Sequence, residues 1–260
     1  MSILVENLRF GYTSKEILRG VSLSSENGQL MAVLGPNGVG KTTLFRCILG
    51  LERRYSGRIL IDGDDAAGLP EKERAGRIAF IPQIRPQVFG YTVMDMVLMG
   101  TSHGLSRFSV PGEKEKKAAK EALERMEIGY LAQNEFVKIS GGEQQLVLIA
   151  RALAQNSKTL LMDEPTSALD YGNQSRVMRS VRNLADQGYC VVLSTHNPQH
   201  AVWFADRAVA LFDGIVAADG PPEEIMTQEL ISRLYRLEVS VIDTPEGKLI
   251  SPAGTKKRNG

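Results

Sequence analysis

The sequence predicts an α/β fold in which strands and helices alternate around a largely parallel sheet. Apolar, partly β-branched runs at 30–34, 159–162 and 189–194 are typical of strands that are buried inside such a sheet. Segments with helical spacing separate these runs, and strands joined through helices pair in parallel with right-handed crossovers. The block at 92–155 has mainly helical character. We therefore expect an inserted α-helical subdomain there.

The N-terminal third reads as strands with one early helix. Short β-type runs precede a glycine-rich turn, and the turn leads directly into a segment with helical spacing. A further turn is predicted at Asp62-Gly63-Asp64. The predicted elements are strands at 3–5, 17–23 and 30–34, a helix at 42–49, and strands at 57–61 and 77–81.

Helical spacing dominates the middle of the chain. Val93, Met96 and Val97 recur at that spacing, and a charged helix is predicted at 113–125 beyond a Gly-, Ser- and Pro-rich loop at 101–112. The remaining predictions are a helix from Ser140 to Ala154, a helix at 173–186, a C-terminal hairpin at 239–250 and a disordered tail at 255–260.

Bulk properties exclude several classes of protein. The chain has 260 residues with 31 Lys plus Arg and 30 Asp plus Glu, so no strong basic charge favours nucleic-acid binding. No apolar run approaches the ~18 residues of a membrane span, and the first residues do not resemble a signal peptide. Cys47 and Cys190 lie in apolar stretches and are interpreted as buried, reduced thiols.

A phosphate-binding loop is the clearest motif. Residues 35–42 read Gly-Pro-Asn-Gly-Val-Gly-Lys-Thr, with a predicted strand before them and a helix after them. Glycines let backbone N–H groups wrap a polyphosphate, and the helix adds its positive N-terminal end. Lys41 would supply a charge to the outer phosphates, and the Thr42 hydroxyl would ligate Mg²⁺.

Two carboxylates complete the predicted site. Asp163 and Glu164 follow the apolar run at 160–162, at the carboxyl end of a parallel strand, where α/β sheets place ligand contacts. Asp163 would hold Mg²⁺ through water, and Glu164 would orient or deprotonate the attacking water. An isolated Asp-Glu pair is more often a solvated turn, but the preceding phosphate loop favours the catalytic interpretation.

Further motifs occur in a fixed order and resemble those of ATP-binding cassette (ABC) ATPases. Ile139-Ser140-Gly141-Gly142-Glu143-Gln144-Gln145 resembles the LSGGQ signature, with Ile in place of the usual Leu. Gln83 resembles the Q-loop glutamine, and the segment 167–170 resembles the D-loop. His196 resembles the switch histidine, and Tyr12 resembles the aromatic residue that stacks on adenine. The resemblance covers about residues 2–235.

The resemblance implies an α/β P-loop NTPase core with a mixed, largely parallel sheet, an N-terminal antiparallel β portion and an inserted α-helical subdomain. The expected domains are a nucleotide-binding core at 1–91 and 156–235, a helical signature subdomain at 92–155, and a C-terminal hairpin and tail at 236–260. The implied cofactors are ATP and Mg²⁺. Glu164, His196 and Gln83 are the candidate catalytic residues, and Thr42, Gln83 and Asp163 the candidate metal ligands. The candidate ATP-binding residues are Tyr12, Gly35, Pro36, Asn37, Gly38, Val39, Gly40, Lys41, Thr42, Thr43, Ser140, Gly141, Gly142 and Asp170.

Several of these residues have a simpler alternative. Ser140 could be only a helix N-cap, His196 an ordinary capping histidine and Tyr12 a core side chain. His103 and His200 lack a comparable context and are interpreted as surface or structural residues.

The resemblance also implies partners. In the family, two cassettes pack head to tail, so we expect a homodimer, and the chain carries one phosphate loop and one signature. Finer similarity at 91–100 and 169–174 favours the importer subfamily that serves iron-siderophore, haem, cobalamin and molybdate uptake, with an iron complex as the first expectation. This implies integral membrane permease subunits, an indirect substrate-binding protein and a cytoplasmic position on the inner face of the membrane. The alternative is a soluble ABC ATPase acting on nucleic acid or the ribosome.

Overall fold

Two sheets form the framework of the computed structural model, which describes residues 2–83, 90–104, 111–245 and 247–253. The tail predicted at 255–260 and the loop residues 105–110 lie outside the described residues, and so does the side chain of His103. The strands are β1 (Ile3–Gly11), β2 (Glu16–Ser25), β3 (Leu30–Leu34), β4 (Ser56–Ile61), β5 (Asp64–Asp65), β6 (Ile78–Ile81), β7 (Thr159–Asp163), β8 (Cys190–Thr195), β9 (Arg207–Phe212), β10 (Ile215–Gly220), β11 (Val239–Thr244) and β12 (Gly247–Pro252).

The larger sheet has the strand order β10-β9-β3-β8-β7-β6. Strands β9, β3, β8, β7 and β6 pair in parallel, whereas β10 pairs with β9 in antiparallel orientation. The second sheet, β2-β1-β4-β5, is antiparallel. The predicted mixed sheet and the N-terminal antiparallel portion are therefore confirmed.

Nine α-helices are described. Those of the middle segment pack mainly on one another, because α5 contacts both α3 and α4. A 3-10 helix at Met99–Gly104 occupies the start of the predicted loop, so that part of the loop prediction is wrong. The helices are α1 (Lys41–Ile48), α2 (Glu71–Arg77), α3 (Val93–Leu98), α4 (Glu113–Arg125), α5 (Gly141–Ala154), α6 (Tyr171–Asp186), α7 (Pro198–Phe204), α8 (Pro222–Ile225) and α9 (Gln228–Tyr235).

The core lies on the two faces of the larger sheet. Strands β3, β7 and β8 are buried along their whole length, so alternate residues of each strand point into different clusters. One cluster joins this sheet to the antiparallel sheet and α1, and the other joins it to the middle helices, α6 and α9. Burial on both faces fixes the strand register, which brings the carboxyl ends of β3, β7 and β8 to one edge.

In the described segments 2–83, 90–104, 111–245 and 247–253, no helix combines the length and the apolar character needed to cross a membrane.

Candidate nucleotide site

The phosphate loop connects β3 to α1. Gly38 and Gly40 have φ angles of 80° and 114°, a left-handed conformation that glycine adopts without steric cost. A Cβ on Gly40 would lie 2.9 Å from the Leu18 side chain, so β2 packs closely against the loop. At the exposed crest, a Cβ on Gly38 would meet nothing within 4 Å. Because α1 begins at Lys41, its unpaired first-turn N–H groups face this loop.

Lys41 lies beneath the loop and is buried. Its Nζ donates hydrogen bonds to the carbonyl oxygens of Gly35 at 2.7 Å and Pro36 at 3.2 Å. The same ammonium lies 3.2 Å from Oε1 of Glu164, and the two side chains are only 5% and 7% exposed. A buried ion pair of this kind is stable only when further hydrogen bonds satisfy both charges, as the two carbonyl groups do for Lys41.

Glu164 is the centre of the site. It follows β7 directly and has a φ angle of 45°, unusual for a residue other than glycine and common where strain is tolerated for function. Lys41 contacts its Oε1, and two other groups contact its Oε2: Nε2 of Gln83 at 3.3 Å and Nδ1 of His196 at 3.0 Å. The fold thus brings the other two predicted catalytic residues and the phosphate-loop lysine to the Glu164 carboxylate.

Asp163 is held by two hydroxyl groups. Thr42 Oγ1 donates to its Oδ2 at 2.7 Å, and Ser194 Oγ donates to its Oδ1 at 2.6 Å. A hydroxyl beside a carboxylate at a phosphate loop fits Mg²⁺, which is usually bound by one or two carboxylates together with substrate phosphates. Among the residues the structure describes, no group of three or more His, Cys, Asp or Glu side chains could hold a metal, and this kind of Mg²⁺ site does not require one.

Ser194 is a site residue that the sequence did not reveal. It is fully buried on β8, in register with Asp163, and its hydroxyl also accepts the backbone N–H of Glu164 at 2.9 Å. One hydroxyl therefore fixes both carboxylate residues. The only available signal was a polar residue at the end of an apolar strand that pairs with β7.

His200 is a structural residue and not a surface one. It lies on α7 with 6% exposure, and its Nδ1 is 3.5 Å from the Thr166 hydroxyl. Burial, assisted by the charge of His196, lowers the pKa of His200 to about 4. His200 is therefore neutral at physiological pH.

The signature residues form a second helix end. Ser140 caps α5: its Oγ accepts the N–H of Glu143 at 3.3 Å, and its own N–H donates to Glu143 Oε2 at 2.8 Å. The Ser140 hydroxyl also donates to Glu143 Oε2 at 2.7 Å, and this bond, together with the one from the Ser140 N–H, holds the pKa of Glu143 below its ordinary value. A Cβ on Gly142 would lie 2.3 Å from Oδ1 of Asn173, so α5 begins directly against α6. Asp170 caps α6 through Asn173, which lowers the pKa of Asp170.

The structure thus makes two separate groups from the predicted residues. Within the described ranges, none of the hydrogen bonds or ion pairs joins Ser140, Gly141, Gly142 or Asp170 to the cluster at Glu164.

Tyr12 lies beyond the end of β1, is 55% exposed, and contacts Phe10 edge to face at 5.0 Å between ring centres. The core interpretation of Tyr12 is therefore wrong. The remaining loop residues vary in exposure: Asn37 is exposed, Pro36 and Val39 are half-buried, and Gly35 and Thr43 are buried.

Comparison with known proteins identifies the family. The ABC transporter family model matches residues 18–167. The hemin import ATP-binding protein HmuV of Myxococcus xanthus is 34% identical over 263 residues, covering 98% of each chain. The molybdate import ATP-binding protein MolC of Haemophilus influenzae is 37% identical and covers 91% of this chain and 88% of the relative. The lipopolysaccharide export ATP-binding protein LptB of the same organism is 35% identical, with 90% and 97% covered.

Solved structures agree with the sequence comparison. An ABC transporter assigned to the metal-chelate type, in an inward-facing conformation, superposes with a TM-score of 0.83 and 34% identity, covering 96% of each chain. A dimeric bacterial ABC transporter cassette superposes with a TM-score of 0.72 and 30% identity, covering 85% of this chain and 98% of that one.

The chain belongs to the ABC transporter family. It is an ATP-binding subunit of that family, and its enzymatic activity is ATP hydrolysis coupled to transport. The predicted resemblance to import ATP-binding subunits is confirmed.

Proposed function

We propose that this chain is the ATP-hydrolysing motor subunit of an ABC importer whose cargo is an iron-siderophore or a related metal chelate. The observation that carries the proposal is the cluster of Lys41, Gln83 and His196 around the buried Glu164 carboxylate. The likeness to the metal-chelate type transporter over 96% of the chain supports the cargo class. The likeness to the hemin and molybdate import ATP-binding proteins supports the importer.

Hydrolysis is assigned to the cluster as follows. Glu164 accepts a proton from water as the water oxygen bonds to the γ-phosphorus, and the bond from that phosphorus to the bridging oxygen of ADP breaks. Lys41 stabilises negative charge on the β- and γ-phosphates, while His196 and Gln83 orient the groups around the γ-phosphate. The groups needed for these contacts already converge in the structure. Nζ of Lys41, Nε2 of Gln83 and Nδ1 of His196 all contact the Glu164 carboxylate, and phosphate oxygens would attract the same three groups.

Mg²⁺ binding is assigned to Thr42, Asp163 and Gln83. The Thr42 hydroxyl and the Asp163 carboxylate are already in contact at 2.7 Å, so oxygen donors converge at the N-terminus of α1. When bound, Mg²⁺ neutralises charge on the β- and γ-phosphates. Tyr12 is assigned to adenine stacking, since its ring is 55% exposed, and residues 35–43 to the phosphates.

A homodimer is proposed because one chain holds two half-sites that do not meet. Ser140, Gly141, Gly142 and Asp170 belong to the ATP that is bound by the phosphate loop of a second copy. We also propose the domain division at residues 92–155, since α3, α4 and α5 pack on one another.

Mixing two inactive variants tests this arrangement. Ser140→Arg places a bulky cation at the start of α5 and Lys41→Ala removes the phosphate-loop charge, so either homodimer should hydrolyse ATP poorly. A mixed dimer has one composite site that carries both changes and one that is intact, so ATPase activity should recover in part on mixing. Wild-type turnover by the Ser140→Arg homodimer would contradict the head-to-tail dimer.

Integral membrane permease subunits are the proposed direct partners, on the inner, cytoplasmic face of the cell membrane, with a substrate-binding protein acting indirectly. The segment after Gln83 leads from the catalytic cluster toward the helical block. Residues 84–89 lie outside the described residues, and the described Tyr91 is 41% exposed at the base of α3. An exposed aromatic side chain beside a segment that leaves the γ-phosphate site can bind a helix of the permease.

Tyr91→Ala should weaken permease binding and uptake while the isolated subunit keeps its basal ATPase activity. The substitution removes contact area and little buried packing, so the melting temperature should stay within a few degrees of wild type. Co-purification with the permease and thermal unfolding measure the two effects. Tyr130→Ala is the matched control, because Tyr130 is also exposed but lies in a different segment, the 3-10 turn Gly129–Leu131 that follows α4. A large fall in melting temperature with unchanged co-purification would show that Tyr91 is a packing residue.

Cargo is tested by uptake in cells that lack the gene. Loss of iron-chelate uptake with normal haem, cobalamin and molybdate uptake would support the proposed cargo class. If uptake of haem, cobalamin or molybdate were lost instead, that compound would be the cargo. LptB is an export subunit of comparable identity, so unchanged uptake of all four would contradict the importer.

The alternative function is a soluble ABC ATPase acting on nucleic acid or the ribosome. The near-neutral charge of 31 basic and 30 acidic residues does not favour it. An ATPase rate stimulated by nucleic acid or ribosomes, and not by the permease, would favour the alternative.

A further inference from the structure

The C-terminal hairpin is attached to helix α7 through one side chain. The Gln199 amide donates from Nε2 to the carbonyl oxygen of Lys248 at 2.8 Å, and its Oε1 accepts the backbone N–H of Ile250 at 3.0 Å. Its amide therefore pairs with β12 as a peptide group of a neighbouring strand would. A Cβ on Gly247 would lie 3.6 Å from the Val202 side chain, so the hairpin also approaches α7 one turn further on.

Gln199 stands three residues after His196, and hydrogen bonds connect the two positions. The N–H of Gln199 donates to Oδ1 of Asn197, which caps α7, at 3.0 Å. The N–H of Asn197 in turn donates to Oγ1 of Thr195 at the end of β8, also at 3.0 Å. His196 lies inside this turn with a side chain that is 46% exposed. Its direction therefore depends largely on the backbone of the turn.

The end of α9 approaches the site from the same segment of chain. Tyr235 packs against the main core, and its hydroxyl is buried without a hydrogen-bond partner among the described residues. Burial raises the pKa of Tyr235, and the negative charge of Glu164 raises it further. The segment from the end of α9 to the end of β12 thus contacts α7, and its first residue, Tyr235, lies within the electrostatic influence of the catalytic carboxylate.

We propose that the C-terminal hairpin is a positioning element for His196 and that Gln199 is the residue that carries its effect. The two hydrogen bonds to β12 hold the first turn of α7, and the turn holds the imidazole against Glu164. The proposal rests on the catalytic role proposed above for His196.

Gln199→Met is the informative variant, because it keeps the side-chain length and removes both hydrogen bonds. We expect kcat for ATP hydrolysis to fall between about 10-fold and 100-fold, since small misplacements of a catalytic group have effects of this size. KM for ATP should change little, because the described side-chain hydrogen bonds of β12 run to Gln199, Thr244 and Met226 and not to the phosphate loop or Tyr12. Gln199→Glu, which keeps the acceptor for Ile250 and loses the donor to Lys248, should also lower kcat.

A double-mutant cycle separates positioning from general destabilisation. Turnover is measured for Gln199→Met, His196→Ala and the double variant, together with the melting temperature of each. If the hairpin acts through His196, the Gln199 change will add no further loss once the imidazole is gone. Leu249→Ala is the control, because this side chain lies on β12 between the two bonded residues and is 43% exposed. It should leave kcat unchanged.

Two results would overturn the inference. A multiplicative loss in the double variant would mean that Gln199 acts independently of His196, and an unchanged kcat for Gln199→Met would mean that the hairpin does not position the turn. Wild-type turnover by His196→Ala would instead show that the proposed role of His196 is wrong, and the inference would fail with it.

Discussion

Replacing Glu164 with glutamine is expected to reduce ATP hydrolysis by about 100-fold or more, the usual contribution of a positioned general base. The amide fills the same space and can still contact Gln83 and His196, but it cannot accept a proton from water. ATP binding should remain close to wild type, since Lys41 keeps its hydrogen bonds to the carbonyl groups of Gly35 and Pro36. Binding without hydrolysis should also trap the ATP-bound dimer.

The measurement combines steady-state ATPase rates, ATP titration calorimetry and gel filtration in ATP and Mg²⁺. Glu223→Gln is a matched control, because Glu223 is an exposed glutamate on α8, and turnover should be unchanged. Unchanged turnover in Glu164→Gln would remove Glu164 from the catalytic role. Loss of ATP binding would mean that the carboxylate supports the phosphate loop more than the chemistry.

The central strands could be predicted from the sequence because they are buried on both faces. A run such as Leu30–Leu34 is apolar at every position, so its limits are visible without knowledge of its neighbours. Helix α5 could be located to the residue, since Ser140 and Glu143 form a capping box at its start. The hairpin β11–β12 was also predicted correctly, from turn residues flanked by β-branched ones.

Elements with little apolar periodicity were missed. Helix α2 buries only the charged Arg74, whose guanidinium donates to carbonyl groups of Leu49, Ala66 and Leu69. Hydrophobic periodicity cannot reveal a helix that is anchored by an arginine. The C-terminal elements α7, β9, β10, α8 and α9 were also not predicted. Most are short, and their packing on distant parts of the chain decides their structure.

Prediction from the sequence was limited in the same way for the side chains of the catalytic cluster. The motifs identified Lys41, Asp163 and Glu164, because glycine spacing and paired carboxylates are local patterns. The role of Ser194 depends on the register between β7 and β8, which puts it opposite Asp163. Strand order and register are long-range properties that a single sequence does not state.

Replacing Lys41 with alanine should weaken ATP binding by roughly 100-fold or more, in line with the cost of truncating one partner of a buried, hydrogen-bonded charge pair. The change removes the cation assigned to the β- and γ-phosphates. It also leaves the Glu164 carboxylate, 7% exposed, without its nearest cation, and an uncompensated buried charge destabilises the fold. A lower melting temperature is therefore expected as well. Loss of stability alone would then be a competing explanation for weak ATP binding.

A second substitution separates the two effects. In the double variant Lys41→Ala with Glu164→Gln, the buried charge is gone, so the melting temperature should recover toward wild type. ATP affinity should not recover, because the positive charge beneath the phosphate loop is still missing. Calorimetry with ATP and thermal unfolding measure both quantities, and Lys120→Ala controls for the loss of an exposed lysine. Recovery of ATP affinity together with stability would mean that Lys41 serves only to neutralise Glu164, and the phosphate-binding role would be wrong.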